Sequence, residues 1–204
     1  MFPKLYHGLW ELRRHVKDRY LNETWAHYYD ASTPGDKEPD PWLCNLQLPD
    51  YVNEILDLGC GAGRNFIPFE GKLTLWGIDI VPAQRINWLK PFKNLTYEHL
   101  TVEQLTRRLE STSRDMSRTF VFSSGTLMYV SKRYQRRFYE ACKKNGCKNF
   151  IFQEYPTTST KHSVENFKLP PEWFTVRHLR ESAEDQTMCF MEMDDSMKTR
   201  QADV

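Results

Sequence analysis

Cysteine is sparse and poorly spaced for pairing in this sequence. Five cysteines are scattered over 204 residues, at positions 44, 60, 142, 147 and 189, with no CxxC pair among them. An odd, dispersed set indicates neither a disulfide framework nor a zinc site and fits a reducing compartment, so a cytoplasmic setting is expected. An excess of charge of one sign is also missing. Lys and Arg number 28 against 27 Asp and Glu, a net +1, which provides no general electrostatic pull toward nucleic acid. No apolar run approaches bilayer-spanning length and the N-terminus lacks a signal peptide's apolar core, so no membrane partner is expected. Repeats and low-complexity tracts are absent. The length fits a single domain with a full core, read as a helical and lid-like segment over 1–45 and a core over 52–194.

What is present centres on the stretch from Glu54 to Asn65. Val52 to Leu58 is apolar and rich in branched residues, the pattern of a strand buried on both faces. It ends around Asp57 and runs into Gly59, Gly61 and Gly63, which let the backbone turn sharply and lie against a ligand. Asn65 to Phe69 reads as a short helix whose first N–H groups point back at that ligand. A dinucleotide fingerprint needs its third glycine three residues after the second, where this chain has Arg64; Gly63 comes one place early. Asp57 would also repel a pyrophosphate, whereas a carboxylate there suits an amino acid's ammonium group. Leu73 to Asp79 is a second apolar strand ending in an acid, placed to hold ribose hydroxyls. An amino acid joined to a ribose without phosphate describes S-adenosylmethionine.

DLGCGAG followed by GIDI resembles the class I (Rossmann-like) S-adenosylmethionine-dependent methyltransferases. Phe120 to Val130 is similar to that family's fourth strand and the helix start after it. The resemblance implies an α/β fold: a doubly wound, mostly parallel seven-stranded sheet with an antiparallel C-terminal hairpin strand and helices on both faces. It implies a cofactor site built from Asp57, Gly59, Cys60, Gly61, Asp79, Ile80, Leu100, Thr101, Ser123 and Tyr29. Two departures stand out. The acid that often binds the adenine amino group is replaced by the His99-Leu100-Thr101 neighbourhood, so recognition falls to backbone groups or Thr101. The acid usual at the start of the fourth strand is replaced by Arg118-Thr119.

Around this frame, Leu5, Leu9, Leu12, Val16 and Tyr20 form an amphipathic stripe, and the aromatic segment Trp25 to Asp30 is a candidate lid. Pro82 to Leu89 reads as a crossover helix, Leu95 to Leu100 as a third strand, and a helix starts near Val102. Ser131 is placed to cap a helix over Lys132 to Lys144, with Tyr134, Phe138 and Cys142 inward and a basic outer face. Asn149 to Glu154 reads as the fifth strand; Phe174 to Leu179 and Thr187 to Met193 read as a closing hairpin.

A methyl on a sulfonium needs an acceptor atom held in line more than it needs a metal, and no metal-ligand spacing is visible. His27 and Glu154 are the catalytic-base candidates, with His162 beyond them, while Tyr28, Tyr29 and Tyr129 offer aromatic faces to a cation. A small-molecule acceptor is the leading expectation. RNA or protein is the runner-up if the basic helix and the Arg114 to Arg118 loop cluster beside the cleft. A cofactor-binding partner subunit without catalysis is a third reading, and the oligomeric state stays open.

Overall fold

A computed structural model describes residues 38–39, 43–83, 92–154, 174–181 and 187–193, the last two segments by backbone alone. The expected helix over 5–20, the aromatic segment at 25–30, most of the crossover helix after Pro82 and the loop over 155–168 lie outside these residues.

Five strands form a parallel sheet: β1 (Glu54–Leu58), β2 (Thr74–Asp79), β3 (Leu95–His99), β4 (Thr119–Ser124) and β5 (Asn149–Glu154). Their order is β3-β2-β1-β4-β5. The register sets Asp57 between Gly77 and Phe122, and Leu58 between Ile78 and Ser123. The chain builds outward from β1 to β3, then returns to β4 on the other side of β1. The carboxyl ends of β1 and β4 therefore flank the switch point, where connections leave in opposite directions and open a crevice.

Both faces of the sheet are covered, which explains why β1, β2 and β4 read as near-continuous apolar runs. On one face Leu56, Leu58, Trp76, Val121, Phe150 and Phe152 pack with helices α1 (Val102–Ser111) and α2 (Lys132–Lys144). On the other, Ile55, Leu75, Phe120, Phe122 and Ile151 pack with Phe66 and Phe69. Those two phenylalanines belong to the element after the glycine turn. It is a 3-10 helix, Arg64–Phe69, with Pro68 inside it. Proline has no N–H to give to the carbonyl four residues back, so the segment stays short and tight.

Thr101 begins α1 with a capping box: its Oγ1 accepts from Gln104 N at 3.2 Å, and Gln104 Oε1 accepts from Thr101 N at 2.8 Å. Ser131 stands at the N-cap of α2 in extended conformation, but its side chain makes no capping bond among the described residues. Tyr134, Phe138 and Cys142 are the buried stripe of α2. Arg137 on its flank is tied to Glu110 of α1 and lies 4.6 Å over the Tyr134 ring.

The segment from Arg114 to Arg118 leads into β4, at the amino end of the sheet. Arg114 Nη2 donates to Glu54 Oε1 at 2.6 Å, and Arg118 Nε donates to the Tyr51 carbonyl at 2.8 Å. Arg114 also stacks on Trp76, 3.8 Å from the ring centroid. These cations secure the end of the sheet opposite the glycine turn, so they do not cluster beside the cleft. No described helix is long and apolar enough to cross a membrane.

Candidate functional site

The turn after β1 is shaped by the three last residues of β2. Gly59 N and Cys60 N both donate to the Ile78 carbonyl, at 2.8 and 3.0 Å, and Gly63 N donates to the Cys60 carbonyl at 2.9 Å. Gly61 N donates to Asp79 Oδ2 at 2.9 Å. Gly59, Gly61 and Gly63 have φ values of 73°, 49° and 78°, so all three occupy the left-handed region that side chains disfavour. The alternation of glycines is thus a backbone requirement of this turn.

Asp79 ends β2 with both carboxylate oxygens engaged, Oδ2 by Gly61 N and Oδ1 by Val81 N at 2.8 Å. It is 5% exposed. Burial pushes its carboxyl above the usual aspartate range, and the Val81, Gly61 and Ile80 amides, with His99 nearby, oppose that shift. Beyond these amides a carboxylate retains acceptor capacity for an incoming hydroxyl. The rim beside it is internally bonded: His99 Nε2 lies 2.9 Å from the Ile80 carbonyl, and Leu100 N donates to the Asp79 carbonyl at 2.9 Å. The Leu100 and Thr101 amides are therefore already committed. Of the adenine contacts expected there, the Thr101 hydroxyl is the group whose proton the capping box leaves for a ligand.

Asp57 is enclosed by the sheet. It lies inside β1 rather than in the turn and is 1% exposed, on the face shared with Ile55. Cys60 is enclosed near both acids: burial, then the charges of Asp79 and Asp57, push its thiol well above the ordinary range. It is a protonated packing group at neutral pH. Ser123 is fully buried on β4, opposite Leu58 and Phe152, while the half-buried Ser124 ends the strand. Glu154 ends β5, at the carboxyl edge of the sheet. Tyr29, His27 and His162 lie outside the described residues.

Two residues were not among the expected site residues, although one of them, Gly77, opens the GIDI motif. A Cβ on Gly77 would come within 2.6 Å of the Cys60 thiol sulfur and 3.2 Å of Phe66 Cε2, so this glycine in mid-β2 makes room for the turn. Thr126, in the loop after β4, leans on Gly59; a Cβ on Gly59 would lie 2.0 Å from Thr126 Oγ1. Both contacts join segments far apart in sequence. A further hint was the oddity of a glycine inside an apolar strand.

No family model matches the sequence, and no curated protein matches it. Solved structures do. A SAM-dependent methyltransferase from Anabaena variabilis matches with a TM-score of 0.59 at 10% identity, covering 88% of this chain and 95% of that one. A structure described as the conversion of a disulfide bond into a thioacetal group during echinomycin biosynthesis also matches with a TM-score of 0.59. Its identity is 15%, and the match covers 89% of this chain and 97% of that one. The chain has the class I S-adenosylmethionine-dependent methyltransferase fold.

Proposed function

We propose that this chain is an S-adenosylmethionine-dependent methyltransferase acting on a small-molecule acceptor through a nitrogen, oxygen or sulfur atom. The observation that carries the reading is Asp79: a buried carboxylate, held by backbone amides at the end of β2, directly beside a turn of bare glycine backbone. That pair fits a ribose diol and an uncharged approach to the chain. The A. variabilis protein of the same fold, named as SAM-dependent, adds support. When bound, the cofactor supplies a methyl group on a positively charged sulfur.

This chain's residues then have the following roles. Asp79 accepts the ribose hydroxyls, and Gly59, Cys60 and Gly61 present backbone to the amino-acid portion. Asp57 supplies negative charge beneath the turn for the ammonium group. Ile80, Leu100 and Thr101 border the adenine, with Ser123 and Tyr29 completing the site. Holding the acceptor in line contributes roughly 7–11 kcal/mol toward the barrier. A base, His27 or Glu154, takes the acceptor's proton and adds about a hundredfold or more.

In this reading residues 1–204 belong to a single unit whose sheet has seven strands. Backbone pairing supports it: β6 (Phe174–Glu181) and β7 (Thr187–Met193) run antiparallel, and β7 also pairs antiparallel with β5. A cytoplasmic setting follows from the cysteine usage. The macromolecular alternative loses one support, because Arg114 and Arg118 are spent at the amino end of the sheet.

Calorimetric titration with S-adenosylhomocysteine tests the cofactor, and radiolabelled methyl transfer to a panel of amines, phenols and thiols tests the acceptor. Absence of binding by the wild-type chain sinks the reading. Binding without transfer to any acceptor, small or macromolecular, leaves a cofactor-binding partner subunit instead.

A further inference from the structure

Gln135 is a buried amide on a helix whose outer face is basic. It stands in the first turn of α2 and is 1% exposed. Its Nε2 donates to the Leu127 carbonyl and to the Val130 carbonyl, each at 2.8 Å. A primary amide has two N–H donors, and both are used on one short loop. Removing such a group from water is costly unless it is satisfied, so its worth lies in what it holds.

It holds the loop that leaves the carboxyl end of β4. Leu127–Tyr129 is a single 3-10 turn, closed by Tyr129 N donating to the Thr126 carbonyl at 3.0 Å and Val130 N donating to the Leu127 carbonyl at 2.9 Å. A three-residue turn of this kind has little stability of its own. The Gln135 amide clasps it at both ends, at the carbonyls of residues 127 and 130. Thr126 opens the turn, and its side chain is the one pressed onto Gly59. The contacts are continuous from α2 through the loop to the glycine turn, and that turn bonds Asp79.

We propose that Gln135 is a positioning residue for the cofactor site: by clasping the turn at 127–130 it sets Thr126 against Gly59 and so fixes the backbone that receives the nucleoside's amino-acid portion. The inference rests on the S-adenosylmethionine reading above. Gln135 touches no reacting atom and acts through Thr126.

The test is a double-variant cycle read by S-adenosylhomocysteine affinity, with thermal unfolding followed in parallel. Gln135→Met keeps length and apolar volume but removes both donors. It is expected to weaken binding about tenfold, within the range for side chains coupled through one network. In a Thr126→Gly background, where the contact on Gly59 is already gone, the same change is expected to weaken binding less than about threefold further. A structural role alone lowers the melting temperature and leaves the dissociation constant of the folded fraction unchanged; that result overturns the proposal. So do fully additive losses. If Gln135→Met does not fold, Thr126→Gly by itself must weaken binding several-fold, and an unchanged affinity there overturns the proposal equally. In each of these cases the wild-type chain still binds, so the cofactor reading survives. Failure of the wild-type chain to bind removes both.

Discussion

The backbone N–H of Gly61 donates to Oδ2 of Asp79 at 2.9 Å, joining the glycine turn to the end of the second strand across 18 residues. The same carboxylate accepts from Val81 N at 2.8 Å, so Asp79 has a structural duty besides any ligand duty. Removing it outright disturbs both.

Asp79→Asn is therefore the cleaner probe than Asp79→Ala. Asparagine keeps one oxygen for a backbone donor and turns an NH₂ toward the other. The expected cost in stability is about 1–3 kcal/mol for the orphaned amide. The affinity for S-adenosylhomocysteine should fall at least tenfold, about 1.4 kcal/mol or more. Calorimetry and urea unfolding on the same preparation measure the two effects separately.

The pH dependence has a definite sign. Burial raises the Asp79 carboxyl above its ordinary value of 3.8, so the folded state holds this proton more tightly than the unfolded state. Its contribution to stability is complete below that ordinary value and is lost as the pH rises through the raised one. Glu98 works the other way. Its hydrogen bonds from Arg108 lower its pKa, so its contribution is present above the ordinary glutamate value and is lost as the pH falls through the depressed one. The wild-type minus Asp79→Asn difference in unfolding free energy isolates the first effect. It should shift in favour of the variant between pH 4 and pH 7. A difference that stays flat across that interval contradicts the assignment.

Glycine substitutions separate backbone strain from collision. Gly71 (φ 74°) and Gly59 (φ 73°) have nearly the same conformation, but a Cβ on Gly71 meets nothing among the described atoms within 4 Å. Gly71→Ala should cost about 1 kcal/mol from its backbone alone. Gly59→Ala adds the collision with Thr126 and should cost at least about 2 kcal/mol more, in the range of overpacking. Equal melting temperatures for the two variants would contradict the Thr126 contact. Because that collision is with Thr126, loss of binding in a Gly59→Val variant reports on packing first and on ligand space second.

Thiol labelling should discriminate among the described cysteines. Cys44 is exposed, while Cys60, Cys142 and Cys147 are buried. Burial pushes the Cys147 thiol up to about 12, and Cys60 and Cys142 are raised as well. Peptide mapping after brief iodoacetamide treatment at pH 8 should find Cys44 modified and the other three intact, since the thiolate is the reactive form. Modification of Cys60 at a comparable rate contradicts its enclosure between Asp79 and Asp57.

Much of this was legible in the sequence because it is encoded locally. A strand buried on both faces must be apolar throughout, so Ile55 to Leu58 and Phe120 to Phe122 announce themselves. Positive φ at alternate positions needs glycine, so Gly59, Gly61 and Gly63 mark the turn without any partner in view. The stripes of α1 and α2, the end of β2 at Asp79 and the capping position of Thr101 follow from periodicity and side-chain chemistry within a few residues. Contacts between distant segments were not legible. No local pattern states that Gly77 must be bare for the Cys60 thiol, that Thr126 rests on Gly59, or that Gln135 spends both N–H groups on carbonyls at 127 and 130. Nor does composition reveal that Arg114 and Arg118 serve Glu54 and Tyr51 at the far end of the sheet. The sequence alone determined which segments are strands and where the backbone between them is bare, since these depend on φ, burial and spacing. Only the tertiary structure decided what holds that backbone in place, because steric fit and hydrogen bonding between segments exist only once strand order and register bring them together.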